Sequence, residues 1–240
     1  MIGVVIPAHN EQALLAHCIR AVEQAARHPG LAGEAVRVLV VLDACEDDSA
    51  AIVAAAGIQG LQVNARSVGY ARAAGSDYLI ALGARWIACT DADSEVAPDW
   101  LVAQLSLGAQ MVCGTVQVRD WGELHEGVRQ RYAQAYTQAD GHRHIHGANL
   151  GFCTKTYRRS GGFLPLTVNE DVHLVRTFER LGAHICWSQL PQVITSARLL
   201  GRASGGFADY LRTLALEEPA GTAPLADPSS VACGDNLNGA

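Results

Sequence analysis

Asp91-Ala92-Asp93 follows the apolar run Trp86-Ile87-Ala88-Cys89-Thr90 directly, so two carboxylates leave one strand end on a single turn. Hard divalent cations such as Mg²⁺ and Mn²⁺ take oxygen ligands and share them with substrate phosphates, which is the chemistry such a pair supplies. A solvated turn explains the same residues equally well, since Asp is common where strands end. Asp43 closes a second apolar run and His9-Asn10-Glu11 a first. At a rim, Asp43 can accept a hydrogen bond from a nucleobase N–H; its plainer role is a cap for the helix near Ser49, as Asn10 would cap its own. Arg72 stands among Gly69, Ala71, Ala73, Ala74 and Gly75, by default a solvent-facing charge. Beside a phosphate-binding rim, its guanidinium matches phosphate and base-edge geometry. Glu170-Asp171 opens a helical pattern, where carboxylates meet the positive end of the backbone dipole. Within a cleft, such a carboxylate can also take a proton from an attacking hydroxyl.

His142, His144 and His146 alternate and would share one face of a strand. Three imidazoles at that period can hold zinc, or one can complete the coordination of a cation on Asp93. A polar loop is the commoner origin of such a run and is the reading for His142. His146, next to Gly147-Ala148-Asn149, is the one expected to face a site.

The elements that must position these groups are short β-branched runs alternating with Ala-rich amphipathic stretches, the pattern of βαβ units. Strands are predicted at Gly3–Ile6, Arg37–Leu42, Leu61–Val63, Trp86–Thr90 and Met111–Val118. Helices are predicted over 11–26, 50–56, 68–83, 123–139 and 172–181. In open α/β sheets, ligands bind outside the carboxyl ends of the strands, and three of these ends carry the polar clusters. From about Pro219, Pro, Ala, Gly, Ser and Asp dominate and apolar periodicity stops, which reads as a flexible tail over 217–240.

The chain of 240 residues carries 18 Lys and Arg against 24 Asp and Glu, a net charge of −6, with 49% hydrophobic residues. That balance belongs to a globular domain and excludes a chain lacking a core. Mild acidity and 6% aromatics argue against a nucleic-acid partner. No apolar run reaches the ~18–20 residues that span a bilayer, while docking on a membrane surface or pairing of two copies stays open. The opening residues carry no signal-peptide pattern, so a cytoplasmic location is expected. Seven scattered cysteines without a Cys-x-x-Cys pair read as reduced thiols.

The run Val4-Val5-Ile6-Pro7-Ala8-His9-Asn10-Glu11, then Asp43, then Asp91-Ala92-Asp93, then Asn169-Glu170-Asp171 occur in one order over roughly residues 2–212. Together they resemble family 2 glycosyltransferases of the GT-A fold. The resemblance implies a GT-A-like three-layer α/β/α sandwich with a mainly parallel sheet over 1–216, its nucleotide-binding half 1–94 and its acceptor half 95–216. It implies that Pro7, Ala8, Asn10, Glu11, Asp43, Arg72, Asp91 and Ala92 line the nucleotide-sugar pocket. Asp93, with Asp91, would hold a divalent cation, Mn²⁺ or Mg²⁺. His146, Gly147, Ala148, Asn149 and Glu170 would shape the sugar and acceptor site, and Asp171 matches the general base. The family's Asp-Asp-Gly-Ser is here Asp43-Ala44-Cys45-Glu46-Asp47-Asp48-Ser49, and no Gln-x-x-Arg-Trp follows Asp171. A Gly/Arg-rich stretch at 195–207 is read as a lid whose Arg198 or Arg202 neutralises the leaving diphosphate.

The expected reaction is inverting, metal-assisted transfer of a sugar from a nucleotide diphosphosugar, a UDP-sugar first, to an acceptor hydroxyl. A nucleotidyltransferase is the rival enzyme, disfavoured because Pro7-Ala8-His9-Asn10-Glu11 stands where a Gly-rich phosphate loop would. No Gly-x-Gly-x-x-Gly follows any strand, which disfavours a dinucleotide-dependent oxidoreductase. A non-catalytic sugar-nucleotide-binding protein is the rival from another class.

Overall fold

Apolar residues alternate faces along the first strand of this computed structural model, β1 (Ile2–Ala8): Ile2, Val4 and Ile6 enter one buried cluster and Val5 the other. The alternation follows from the two-residue period of a strand covered on both faces. The structure describes residues 1–118, 121 and 126–196. The remaining elements are α1 (Leu15–Ala26), β2 (Val36–Asp43), α2 (Ser49–Ala55), β3 (Gln59–Val63), α3 (Val68–Ala81), β4 (Trp86–Cys89), β5 (Glu95–Val96), α4 (Trp100–Ser106), β6 (Met111–Val118), α5 (Glu126–Ala135), β7 (Leu150–Cys153), α6 (Thr154–Ser160), α7 (Glu170–Arg180) and β8 (Ile185–Thr195).

Among the described residues, one eight-stranded sheet, in the order β3-β2-β1-β4-β7-β6-β8-β5, draws strands from both expected halves of the chain. β3, β2, β1 and β4 are parallel neighbours, as expected. Beyond β4 the sheet is mixed: β7 is antiparallel to β4 and β6, β8 is parallel to β6, and β5 is antiparallel to β8. Four of the seven pairings among the described residues are parallel, so the sheet is mainly parallel as expected, and the antiparallel pairings all involve β7 or β5.

Leu15, Ile19, Val53, Trp100 and Leu101 cover one face from α1, α2 and α4, and Ala71, Leu79, Tyr157, Leu174 and Phe178 the other from α3, α6 and α7. The result is a three-layer α/β/α sandwich. α3 packs close because Gly75 lies against the sheet, where a Cβ would stand 2.7 Å from Val5. β8, which the sequence reading did not foresee, contains Pro191. That residue sits in a register break, where Gly114 pairs with Ser188 and Thr115 with Gln192, so its missing N–H interrupts no ladder bond.

The boundary at 216, the tail 217–240 and the lid residues Arg198 and Arg202 lie outside the described residues. Six cysteines among the described residues are free thiols. Among the described residues, no helix is long and apolar enough to cross a membrane.

Candidate active site

Among the described residues, five non-glycine residues have left-handed backbone, and four of them border the polar loops: Asn10 and Ala44 follow β1 and β2, Arg66 precedes α3 and Asn169 precedes α7. Such conformations cost energy and persist where surrounding contacts enforce them. The contacts here join the loops of the first two strands. Asn10 Oδ1 accepts from Glu46 N at 2.7 Å, Ser49 Oγ from Glu11 N at 2.9 Å, and Asp47 Oδ2 from Gln12 N at 2.9 Å. Asn10 therefore ties one loop to the other and does not cap α1, which starts later, at Leu15.

Asp43 is buried, and it organises backbone. Its Oδ1 accepts from Ala65 N and Arg66 N at 2.7 and 2.9 Å, and its Oδ2 from Ser67 N at 2.7 Å. The carboxylate thus holds the strap that leads into α3, and helix capping near Ser49 is not its role. Pro7 is half-buried and Ala8 buried at the end of β1. Ala92 is buried with its methyl in the core, so only its backbone belongs to the rim.

Arg72 departs most from its default reading as a solvent-facing charge. It is 3% exposed, and its guanidinium pairs with Asp91 on one side and Glu170 on the other. Burial opposes its charge, yet Asp91 leads the neighbouring acids in raising its pKa above the usual arginine value. For Asp91, desolvation, with Asp93 and Asp171 adding to it, holds the carboxyl above the ordinary range although Arg72 pulls it down. Glu170 is itself buried at the first turn of α7.

Asp171 stands beside it, partly accessible. Its Oδ2 accepts from Gly147 N at 2.7 Å and its Oδ1 from Val172 N at 2.8 Å. Gly147 is required there: a Cβ would fall 2.4 Å from the Arg72 guanidinium carbon. Arg72, Asp91, Gly147, Glu170 and Asp171 thus form one connected group drawn from α3, the turn after β4, the segment before β7 and the start of α7. Asp93 lies across the same turn, its Oδ1 accepting from Ser94 Oγ at 3.2 Å and its Oδ2 from Ser196 Oγ at 2.8 Å. Ser94 Oγ also pairs with Thr195 Oγ1 at 2.9 Å, where the Thr195 hydroxyl can donate, bringing the end of β8 to the rim.

Asn149 lies elsewhere. It is fully buried, with Oδ1 accepting from Trp100 Nε1 at 2.9 Å and Nδ2 donating to the carbonyls of Thr115 and Pro191 at 2.7 and 2.9 Å. Its amide is spent on joining α4 to the break between β6 and β8. Ala148 packs its methyl into the core. His142 lies in a loop, as read, but at 4% exposure it is buried there and not solvated. His146 Nε2 pairs with Tyr136 Oη at 2.9 Å, and burial pushes its pKa down to about 3, leaving a neutral ring. His142, His144 and Tyr136 instead form a stack, with His144 4.1 Å from Tyr136.

Among the described residues, no three His, Cys, Asp or Glu side chains converge to hold a metal ion. Mg²⁺ and Mn²⁺ sites that share substrate phosphates need only one or two carboxylates, so Asp91 and Asp93 fit as donors. Sequence reasoning placed Thr195 and Ser196 only at the start of the lid stretch, and it missed Ser94, Trp121, Tyr132 and Tyr136. The four-residue spacing of Tyr132 and Tyr136, which puts them on one helix face, is the signal that could have found the last pair.

This architecture, an open α/β sheet with an acidic rim at its parallel half, is that of the GT-A glycosyltransferases. The chain belongs to glycosyl transferase family 2, whose model matches residues 3–161, about two thirds of its length, and is by class a glycosyltransferase domain. Among solved structures, S. aureus TarS 1-349 in complex with UDP-GlcNAc is similar, with TM-score 0.62 and 13% identity over 86% of this chain and 61% of that one. The mannosyltransferase PcManGT from Pyrobaculum calidifontis, in complex with GDP-Man and Mn²⁺, gives 0.62 and 17% over 84% and 58%. Glucosyl-3-phosphoglycerate synthase from Mycobacterium tuberculosis, with Mn²⁺, UDP-Glc and phosphoglyceric acid, gives 0.61 and 19% over 90% and 78%. The chain thus spans about 60% of the TarS and PcManGT chains. No curated protein matches it in sequence.

Proposed function

We propose that this domain transfers a sugar, with inversion, from a nucleoside-diphosphate donor to an acceptor hydroxyl, with a UDP-sugar as first candidate. One observation carries the reading: Asp171 is held by Gly147 N within the group that Arg72 ties to Asp91 at the acidic rim. That arrangement sets a partly accessible carboxylate beside the acidic rim at the ends of the parallel strands, the side on which open α/β sheets bind ligands. The donors named for the similar structures, UDP-GlcNAc, UDP-Glc and GDP-Man, support the substrate class.

A divalent cation, when bound, would neutralise the donor diphosphate, with Asp91 and Asp93 as its carboxylate ligands. Mn²⁺ in two of the similar structures supports this assignment. Pro7, Ala8, Asn10, Glu11 and the Asp43 strap form the nucleotide side. Asp171 takes the proton from the acceptor hydroxyl as its oxygen attacks the anomeric carbon opposite the leaving diphosphate. Gly147 N orients the carboxylate and Arg72 holds the group together, while Arg198 or Arg202 would meet the diphosphate's charge.

The test is thermal unfolding of the full chain with UDP, GDP, dTDP and CDP, each with and without Mn²⁺. One nucleotide is expected to raise the midpoint only with the metal, because a ligand of the folded state alone adds stability. Asp93→Ala is expected to abolish that shift; a shift retained by the variant would remove Asp93 from metal binding. With the matching nucleotide sugar, release of the nucleoside diphosphate supports transfer, whereas release of pyrophosphate supports the nucleotidyltransferase.

A further inference from the structure

A cavity of about 480 Å³, walled by Gln117, Trp121, Arg129, Tyr132, Tyr136 and Gln138, lies at the end of β6 against α5. We propose that it is an acceptor subsite that takes a pyranose ring, so that the acceptor is itself a carbohydrate. The inference rests on the glycosyltransferase reading above and extends it to the second substrate.

Position is the first ground. Tyr136 Oη pairs with His146 Nε2 at 2.9 Å, and the next residue, Gly147, donates its N–H to Asp171 at 2.7 Å. One wall of the cavity is therefore two hydrogen bonds and one peptide unit from the carboxylate that takes the acceptor proton. The β6 side of the cavity reaches the rim as well: Val118, which also lines it, pairs with Thr195, whose Oγ1 contacts Ser94 beside Asp93.

Chemistry is the second. Tyr132 and Tyr136 stack at 4.9 Å, and their hydroxyls are tied to one residue of β6, Val116 N donating to Tyr136 Oη and Tyr132 Oη donating to Val116 O. His144 covers the other face of Tyr136. The column is pinned at both tyrosine hydroxyls, and it ends in Trp121, whose ring meets Tyr132 edge-on at 5.2 Å and is only partly buried. Trp121 is thus the ring with a face to offer, and a fixed aromatic face suits the C–H face of a pyranose. Gln117 and Gln138 add primary amides, which donate and accept at once, as sugar hydroxyls do. A phosphate or carboxylate ligand would call for a basic cluster, and Arg129 is the one cation lining the cavity among the described residues. The volume lies within the ~300–1,000 Å³ of small-molecule sites.

The experiment uses the full chain saturated with UDP and Mn²⁺. Methyl gluco-, galacto- and mannopyranosides are titrated by calorimetry and by tryptophan fluorescence, with p-hydroxybenzoate and inorganic phosphate as comparison ligands. At least one methyl glycoside is expected to saturate. Trp121→Ala should weaken it about tenfold, while Trp121→Phe, which keeps a ring face, should restore most of the affinity. UDP affinity should stay at the wild-type value in both variants, which separates loss of the subsite from loss of the fold. The proposal is overturned if UDP binds but no glycoside saturates, if Trp121→Ala leaves glycoside affinity unchanged, or if either comparison ligand binds more tightly. Failure of every nucleotide to bind would sink the donor reading, and the subsite as part of it.

Discussion

Arg72 and Glu170 are 98 positions apart in the chain, yet they form an ion pair in which each side chain is only 4% exposed. The pair joins α3, in the nucleotide-side half, to the first turn of α7, where Asp171 is the next residue. Removing the cation strands a buried carboxylate, which costs about 3–5 kcal/mol. Arg72→Met should accordingly lower the melting temperature by on the order of 10 °C. Combining it with Glu170→Gln should recover part of the loss, because the stranded charge goes with it. A melting temperature within a degree of wild type for Arg72→Met would show that the pair is not holding the halves together.

Asp171→Asn keeps the size of the side chain and removes the base. Turnover should fall about 10²–10⁴-fold while calorimetry shows nucleotide affinity essentially unchanged. Wild-type turnover in this variant would assign the proton transfer to another group.

Asn149 offers a test between packing and substrate contact. Asn149→Ala leaves Trp100 Nε1 and two strand carbonyls without their partner in the core, and the cost is about 2–4 kcal/mol by chemical denaturation. If stability is untouched and only the sugar-dependent step suffers, its side chain turns to the substrate and the core assignment is wrong.

Acid should destabilise the fold through the His142–His146 segment. Burial lowers all three imidazole pKa values, that of His146 to about 3, against ~6.5 in an unfolded chain. The unfolded state then binds these protons first, so the stability contributed is complete above about pH 6.5 and falls as the segment is acidified, for His146 by up to about 1.4 kcal/mol per pH unit as pH falls toward 3. Urea midpoints at pH 7.5, 6 and 5 for the wild type and His146→Gln should diverge, the variant losing less on acidification. Parallel curves would mean that His146 takes up its proton equally in both states.

The parallel half of the sheet was legible because its strands are short apolar runs buried on both faces, with breakers between them. The polar residues at their ends could then be placed on one rim by topology alone. β8 was not legible: Ser188, Gln189, Pro191 and Gln192 break any two-residue pattern, and the strand forms because β6 opens its register there. The short helices α4 and α6, seven residues each, carry too few turns for periodicity to speak.

Taken alone, the alternation of short apolar runs with Ala-rich stretches pointed to an α/β fold, and the ordered motifs Asn10-Glu11, Asp43, Asp91-Ala92-Asp93 and Glu170-Asp171 carried the family resemblance, because strand ends and helix starts are local features. Only the tertiary structure decided what each polar group faces. Arg72 was readable as a surface charge or a nucleotide contact and is a buried link between two acids. Asn149 was readable as a sugar contact and is spent inside the sheet, and His142 was readable as a loop residue and is covered. Burial and hydrogen-bond partners come from segments tens of residues away, and a side chain's own sequence neighbours carry no record of them.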